Sequence, residues 1–145
     1  MLFVEHTETN LPDLQGLEKD TVVLNWEERR KCRQKVRTEK GTELVMALPT
    51  GTILRDGEIL YANEHGYITV EAAQEQVLVV DAGNIAAGAR VAYEVGTRHL
   101  PISINGSRIV ILRDAHLEEF FLKNGIPYRL EKAAFEPVKK VQVHG

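Results

Sequence analysis

Between Gln76 and Lys132 the apolar pattern changes period in a fixed order, and that order leaves few folds open. Gln76 to Val80 is a continuous apolar run, as expected of a strand covered on both faces. Asn84 to Val95 follows as a helix rich in small residues, with Asn84 placed to cap its start and Gly96 to end it. Ile102 to Leu112 holds Asn105-Gly106 between two apolar runs, the strongest short-range hairpin signal. Asp114 can cap a second helix whose Leu117, Phe120 and Phe121 face a core, Asn124-Gly125 closes it, and Pro127 to Lys132 supplies a last strand. The order β-α-β-β-α-β is that of ferredoxin-like domains, with two helices on one face of an antiparallel sheet.

The first half obeys a different rule. It shows short strands separated by turn signals and no helical period sustained over two turns. Met1 to Thr7 reads as a strand, followed by a loop at residues 10–13. From Thr21 to Thr38 one parity carries Leu24, Trp26, Cys32 and Val36, and the other Arg29, Lys31, Arg33, Lys35 and Arg37. Alternation predicts one long strand, or two consecutive ones, with an apolar inner and a basic outer face. Lys40-Gly41, Asp56-Gly57 and the stretch 63–66 turn the chain between further strands at Glu43 to Leu48 and Tyr67 to Val70. The fold class expected is therefore α+β: a small all-β domain over 1–73, a ferredoxin-like βαββαβ domain over 74–133, and a short flexible tail over 134–145.

Composition narrows the function. The single cysteine, Cys32, excludes an internal disulfide and a cysteine-based zinc cage, and suits a cytoplasmic location. No apolar run approaches the roughly 18 residues that cross a bilayer, so no membrane partner is expected. A net charge of −3 gives no support for general nucleic-acid binding. Phosphate-binding glycine loops, His-Glu-x-x-His and Gly-x-Ser-x-Gly are all missing, and no carboxylate pair is forced into one cleft, so an enzyme is not expected.

Five histidines remain as chemistry: His6, His65, His99, His116 and His144. His6 ends the first strand and His65 sits in a turn, both ordinary solvated positions. His116 falls in the first turn of the second helix, where the positive end of the helix dipole favours the neutral imidazole that binds metal. His99 follows a helix stop and lies on the short connection into a strand, where function is often displayed.

The surroundings of His99 resemble a known signature. Gly96-Thr97-Arg98-His99-Leu100-Pro101, after Ala92-Tyr93-Glu94-Val95, is similar to the Gly-Asn-Arg-His motif of the urease accessory nickel metallochaperones, the UreE family. Leu48-Pro49-Thr50-Gly51-Thr52-Ile53-Leu54-Arg55-Asp56-Gly57-Glu58-Ile59-Leu60 resembles that family's Leu-x-x-Gly-x-x-Leu-x-x-Gly-Asp-x-Leu stretch. The segment from Asp20 to Arg29, the Glu118-Glu119 helix and Ala134-Phe135-Glu136-Pro137 match in order, so the likeness covers nearly the whole chain.

The resemblance implies a partner- or peptide-binding first domain, a metal-binding second domain and a homodimer in which His99 meets its symmetry mate and binds Ni(II) between subunits. A two-fold axis turns one weak imidazole ligand into two. Nickel accepts further imidazoles, so His144 in the tail, and His116 as an accessory, are the other candidate ligands; the same donors would take Zn(II) or Cu(II) in vitro. The tail carries only His144 where relatives often have several histidines, and Thr97 replaces the signature's Asn. The implied function is delivery of Ni(II) to the urease maturation complex for assembly of the urease metallocentre, with the urease apoprotein and accessory proteins including a GTPase as partners. An RNA-binding module of the same topology is the alternative from the fold, but its stacking aromatics are missing from Gln76 to Val80 and Arg108 to Leu112. A small hydrolase using bound metal and water is a third, and nothing in the sequence marks its substrate pocket. The basic residues from Arg29 to Arg37 read as a solvated face or as a docking surface for an acidic partner.

Overall fold

The computed structural model describes residues 1–9 and 13–137. Most of the expected first loop, residues 10–12, and His144 of the expected tail lie outside the described residues. The fold is mixed α+β, and the chain divides after Ala73 into two compact units. None of the helices in the described residues is long and apolar enough to cross a membrane.

The first unit contains β1 (Leu2–Val4), β2 (Glu18–Leu24), α1 (Trp26–Arg29), β3 (Arg33–Arg37), β4 (Glu43–Ala47), β5 (Ile59–Ala62) and β6 (Gly66–Ala72). They form two three-stranded sheets, ordered β1-β4-β3 and β2-β6-β5, each with one parallel and one antiparallel pair. Alternate residues of both sheets, among them Val4, Leu44 and Met46 from one and Val22, Leu24 and Val70 from the other, meet in a single buried cluster. Gly66 permits the closest approach in this unit: a Cβ there would stand 2.7 Å from the Glu18 carbonyl oxygen on the paired strand.

The stretch 21–38 is not a continuous strand. Asn25 and Glu28 form a reciprocal capping box, in which the Asn25 side chain accepts from the Glu28 amide at 2.9 Å and the Glu28 carboxylate from the Asn25 amide at 3.0 Å. Two donors at a helix start are thereby satisfied locally, which favours one helical turn over extension. The turn breaks the parity count. Arg29, expected on the outer basic face, is fully buried, its guanidinium 5.5 Å from the centre of the Trp26 ring and donating from Nη1 to the Leu54 carbonyl at 3.4 Å. Asp56-Gly57 lies in a loop, since residues 53–55 form no strand, and β5 turns into β6 through an Asn63 turn.

The second unit holds β7 (Gln74–Asp81), α2 (Ile85–Thr97), β8 (Ser103–Asn105), β9 (Arg108–Leu112), α3 (Ala115–Lys123) and β10 (Arg129–Ala134). Its sheet is antiparallel and ordered β10-β7-β9-β8, the ferredoxin-like arrangement. Leu78 and Val80 of β7 and Ile109 and Ile111 of β9 pack with Val91 and Val95 of α2 and Leu117 and Phe121 of α3. Asn84 and Asp114 cap the two helices as expected, accepting from the Ala87 and Leu117 amides at 2.8 and 2.9 Å. The hairpin is shifted by one residue: Asn105 already pairs with Arg108, so Gly106, at φ +60°, and Ser107 make the turn. At the end of the unit β10 extends through Ala134, one residue into the stretch expected as tail, and Phe135 after it is fully buried.

Candidate metal centre

Each helix of the second unit ends in the same hydrogen-bond pattern. In α3 the Ile126 amide donates to the Phe121 carbonyl at 2.8 Å and the Gly125 amide to the Leu122 carbonyl at 3.4 Å, with Gly125 at φ +64°. This is the Schellman motif, in which the first residue past the cap turns left-handed and is usually glycine. In α2 the Leu100 amide donates to the Val95 carbonyl at 3.3 Å and the His99 amide to the Gly96 carbonyl at 3.0 Å. Here the left-handed residue is His99, at φ +56°, and no other non-glycine among the described residues has positive φ.

The helix stop is therefore His99 and not Gly96, which lies inside the last turn of α2. The reason is local: Arg98 takes the cap, and Leu100 is drawn back onto Val95 and the core, so the residue between them must reverse the backbone. Histidine is among the residues that tolerate this region, at a cost relative to glycine of roughly 1 kcal/mol. A strained, exposed imidazole at a fixed point is a reason to look for function there.

The surroundings hold that point in place. Arg98 lies 3.8 Å from Glu94 and its guanidinium is 5.9 Å from the centre of the Phe120 ring on α3. Arg90 reaches the same ring at 5.9 Å and donates to Asn124 at 2.5 Å. β7 and β9 run antiparallel, and each leads into a helix packed in the same core, so α2 and α3 run antiparallel and the end of α2 lies at the same end of the pair as the start of α3. His116, exposed in the first turn of α3, lies at that same end of the helix pair as His99. Glu118 anchors this end, accepting from Arg113 and from the Tyr128 hydroxyl, each at 3.2 Å. Burial and the Glu118 carboxylate raise the Tyr128 pKa, so the phenol stays a donor. The Thr97 hydroxyl donates to the Glu94 carbonyl at 2.9 Å and braces the last turn of α2.

One exposed stripe of α2 leading to His99 is uncharged, Ile85, Ala86, Ala89, Tyr93 and Gly96, with Ile85 exposed to 91% and Tyr93 to 70%, and exposed Arg90 borders it. This stripe was not singled out in the sequence, although the spacing of Ala89 and Tyr93 four apart marks it. Within one chain, no group of three or more His, Cys, Asp or Glu among the described residues is placed to hold a metal ion. His6 and His65 belong to the first unit and are solvent-exposed, with His65 in the Asn63 turn.

Two family models match the chain: residues 4–73 match the N-terminal domain, and residues 75–145 the C-terminal domain, of the UreE urease accessory protein. A urease accessory protein UreE of Synechococcus sp. is 37% identical over 121 residues, 83% of this chain and 81% of that relative. Its counterpart from Proteus mirabilis is 36% identical over 136 residues, 92% of this chain and 81% of the relative. The chain spans about half of the one from Paraburkholderia xenovorans, which is 33% identical over 117 residues, 81% of this chain and 52% of that relative. Relatives with these names are accessory proteins and not enzymes.

Proposed function

Because the chain belongs to the UreE family of urease accessory proteins, we propose that it captures Ni(II) at His99 and hands the ion to the proteins that assemble urease. The observation that carries this reading is the histidine in a glycine's place at the end of α2. The backbone that carries the imidazole is held by hydrogen bonds on both sides, yet the ring is open to solvent. Capture needs the first property and release the second.

One imidazole does not hold nickel securely. The uncharged, partly apolar stripe of α2 from Ile85 to Gly96, ending at His99, supports a homodimer across a two-fold axis in which two copies of His99 face one ion. His116 at the same end of the helix pair, and His144 from the tail, are the further imidazoles that would complete the shell. The ion is cargo: an open site of few nitrogen donors exchanges more readily than a closed cage. The recipients in this reading are the urease apoprotein and the other accessory proteins, including a GTPase, in the cytoplasm.

The test is nickel content and titration calorimetry on the purified chain beside His99→Ala, with the association state followed by ultracentrifugation. The variant should remain dimeric and lose the interfacial ion. Unchanged nickel stoichiometry and affinity would overturn the assignment to His99, and a monomeric wild-type protein carrying full nickel would overturn the shared site.

A further inference from the structure

Of the basic residues that remain after Arg29 turns inward, Arg33, Lys35 and Arg37 lie on a sheet edge that is open from 33 to 37; the next outward amide, that of Glu39, donates to the Thr21 carbonyl of β2 at 2.9 Å. β3 is the outer strand of β1-β4-β3. Its pairing with β4 is antiparallel, with Arg33 opposite Ala47, Lys35 opposite Val45 and Arg37 opposite Glu43. The Leu48 amide donates to the Cys32 carbonyl at 2.8 Å and the Thr38 amide to the Thr42 carbonyl at 2.9 Å. These bonds make 32 with 48 and 38 with 42 the mutually bonded pairs. Alternation along the ladder then assigns residues 34 and 36 to bonding with β4, and turns the amides and carbonyls of 33, 35 and 37 outward. No backbone partner meets those three residues among the described residues.

The residues with outward backbone are the ones with basic side chains. Arg33, Lys35 and Arg37 are all exposed and on one face of β3, while Gln34 and Val36 turn to the other. Glu43 offsets part of the charge, lying 3.6 Å from Lys35 and 2.6 Å from Arg37. Arg33 has no ionic partner among the described residues, and exposed Lys31 precedes it.

We infer that this edge is a strand-addition site for an extended acidic segment of a partner protein, with carboxylates at every second position. The outward amides and carbonyls at alternate residues match the main chain of an added strand and not a phosphate backbone. Across that new pair, side chains at 33, 35 and 37 would lie about 5 Å at Cβ from carboxylates on the same face, within reach of Arg and Lys. A second copy of β3 is excluded as the occupant, since it would set three cations against three; the same charges that deter self-pairing select an acidic strand. The site is in the first unit and needs no metal, so it stands apart from the reading of His99.

The experiment uses the full-length chain without nickel and three synthetic peptides of equal charge. One alternates Glu with Thr and Val, one carries the same residues with the acids in a block, and one is the alternating peptide with every second amide N-methylated. Hydrogen exchange should slow at the amides of 33, 35 and 37 by about tenfold or more with the first peptide only. Arg33→Glu combined with Lys35→Glu, both at exposed positions that leave the fold intact, should weaken the alternating peptide about tenfold or more. His99→Ala should bind it as the wild type does, so a failure of the nickel reading leaves this result untouched. Equal binding of the block peptide, of the N-methylated peptide or of a single-stranded RNA of the same charge would reduce the edge to a non-specific basic surface and overturn the inference. So would binding that leaves exchange at 33, 35 and 37 unchanged.

Discussion

Replacing His99 by glycine separates the two things that residue does. The left-handed backbone at φ +56° costs an L-residue roughly 1 kcal/mol, which glycine does not incur. Glycine also gains freedom in the unfolded chain, worth about 0.5 kcal/mol against the variant. The imidazole is exposed and contributes little packing, so metal-free His99→Gly should be more stable than wild type by about 0.5 kcal/mol. For a unit of this size that corresponds to a rise of about 2 to 4 °C in the melting temperature of the second domain.

Nickel should reverse the order. Free ion at about 100 times its dissociation constant stabilises the folded wild type by about 2.7 kcal/mol, and a protein without the site by nearly nothing. Thermal melts with chelator and with nickel, at one fixed protein concentration because association also stabilises, give the two comparisons. The expected signature is a crossing, with the variant higher in chelator and the wild type higher in nickel. A variant clearly less stable without metal would refute the reading of α2's end as a strained glycine position. A variant with the full nickel-induced rise would refute His99 as the ligand.

Three other outcomes test separate parts of the structure. Asn25→Ala removes the side-chain acceptor for the Glu28 amide, while the backbone amide of residue 25 can still donate to Glu28, and should destabilise the first unit by about 1 kcal/mol, read in urea by the fluorescence of Trp26, the chain's only tryptophan; an unchanged midpoint would mean α1 is held without that bond. Asp20 is raised by partial burial, but the Thr38 hydroxyl, the Thr21 and Lys40 amides and the Lys40 charge outweigh this and leave its pKa below the ordinary carboxylate value. Its stabilising contribution is thus complete above the unfolded-state pKa and is lost as pH falls through the lowered one, so the deficit of Asp20→Asn measured in urea should shrink in acid, and a deficit constant with pH would contradict it. Deleting residues 142–145 should lower nickel affinity or stoichiometry modestly by calorimetry, and an identical isotherm would remove His144 from the ligand set.

The parts of the fold that were legible are those decided by chemistry within a few residues. Asp114 and Asn84 announce their helices because a short polar side chain can accept from the first-turn amides, and Gly125 announces its stop. What escaped depends on competition between local choices or on distant partners. The four-residue α1 is shorter than any window in which a period can be measured, and the alternation of Leu24, Trp26, Cys32 and Val36 is a coincidence that the box at Asn25 and Glu28 overrides. The hairpin at Asn105-Gly106 has the right location and the wrong centre, because pairing Ile104 with Ile109 fixes the register and pushes the turn to Gly106-Ser107. That β1 runs parallel to β4, and β2 to β6, is written in no period at all.

The site was legible only in part, for a related reason. The residues around His99 single it out as a candidate, while Gly96 looks like a sufficient helix stop and is not one. The structure shows why Gly96 cannot serve: it still accepts from the His99 amide inside the last turn, and the reversal is forced two residues beyond the turn that contains it, where Leu100 must return to Val95. Stability alone would put glycine at 99, as it does at 125 in the neighbouring helix with the same bonds. A histidine there gives up part of that stability and obtains a side chain whose origin is fixed by the cap, at the end of an uncharged, exposed stripe of the helix. A ligand on a free loop would have to be ordered by the ion it binds, and that ordering would weaken capture. In the proposed role, a ligand whose backbone is fixed by a helix cap would leave only its side-chain rotamer to be ordered when the ion arrives, and because the ring stays open to solvent, an incoming partner would take the ion without unfolding what holds it.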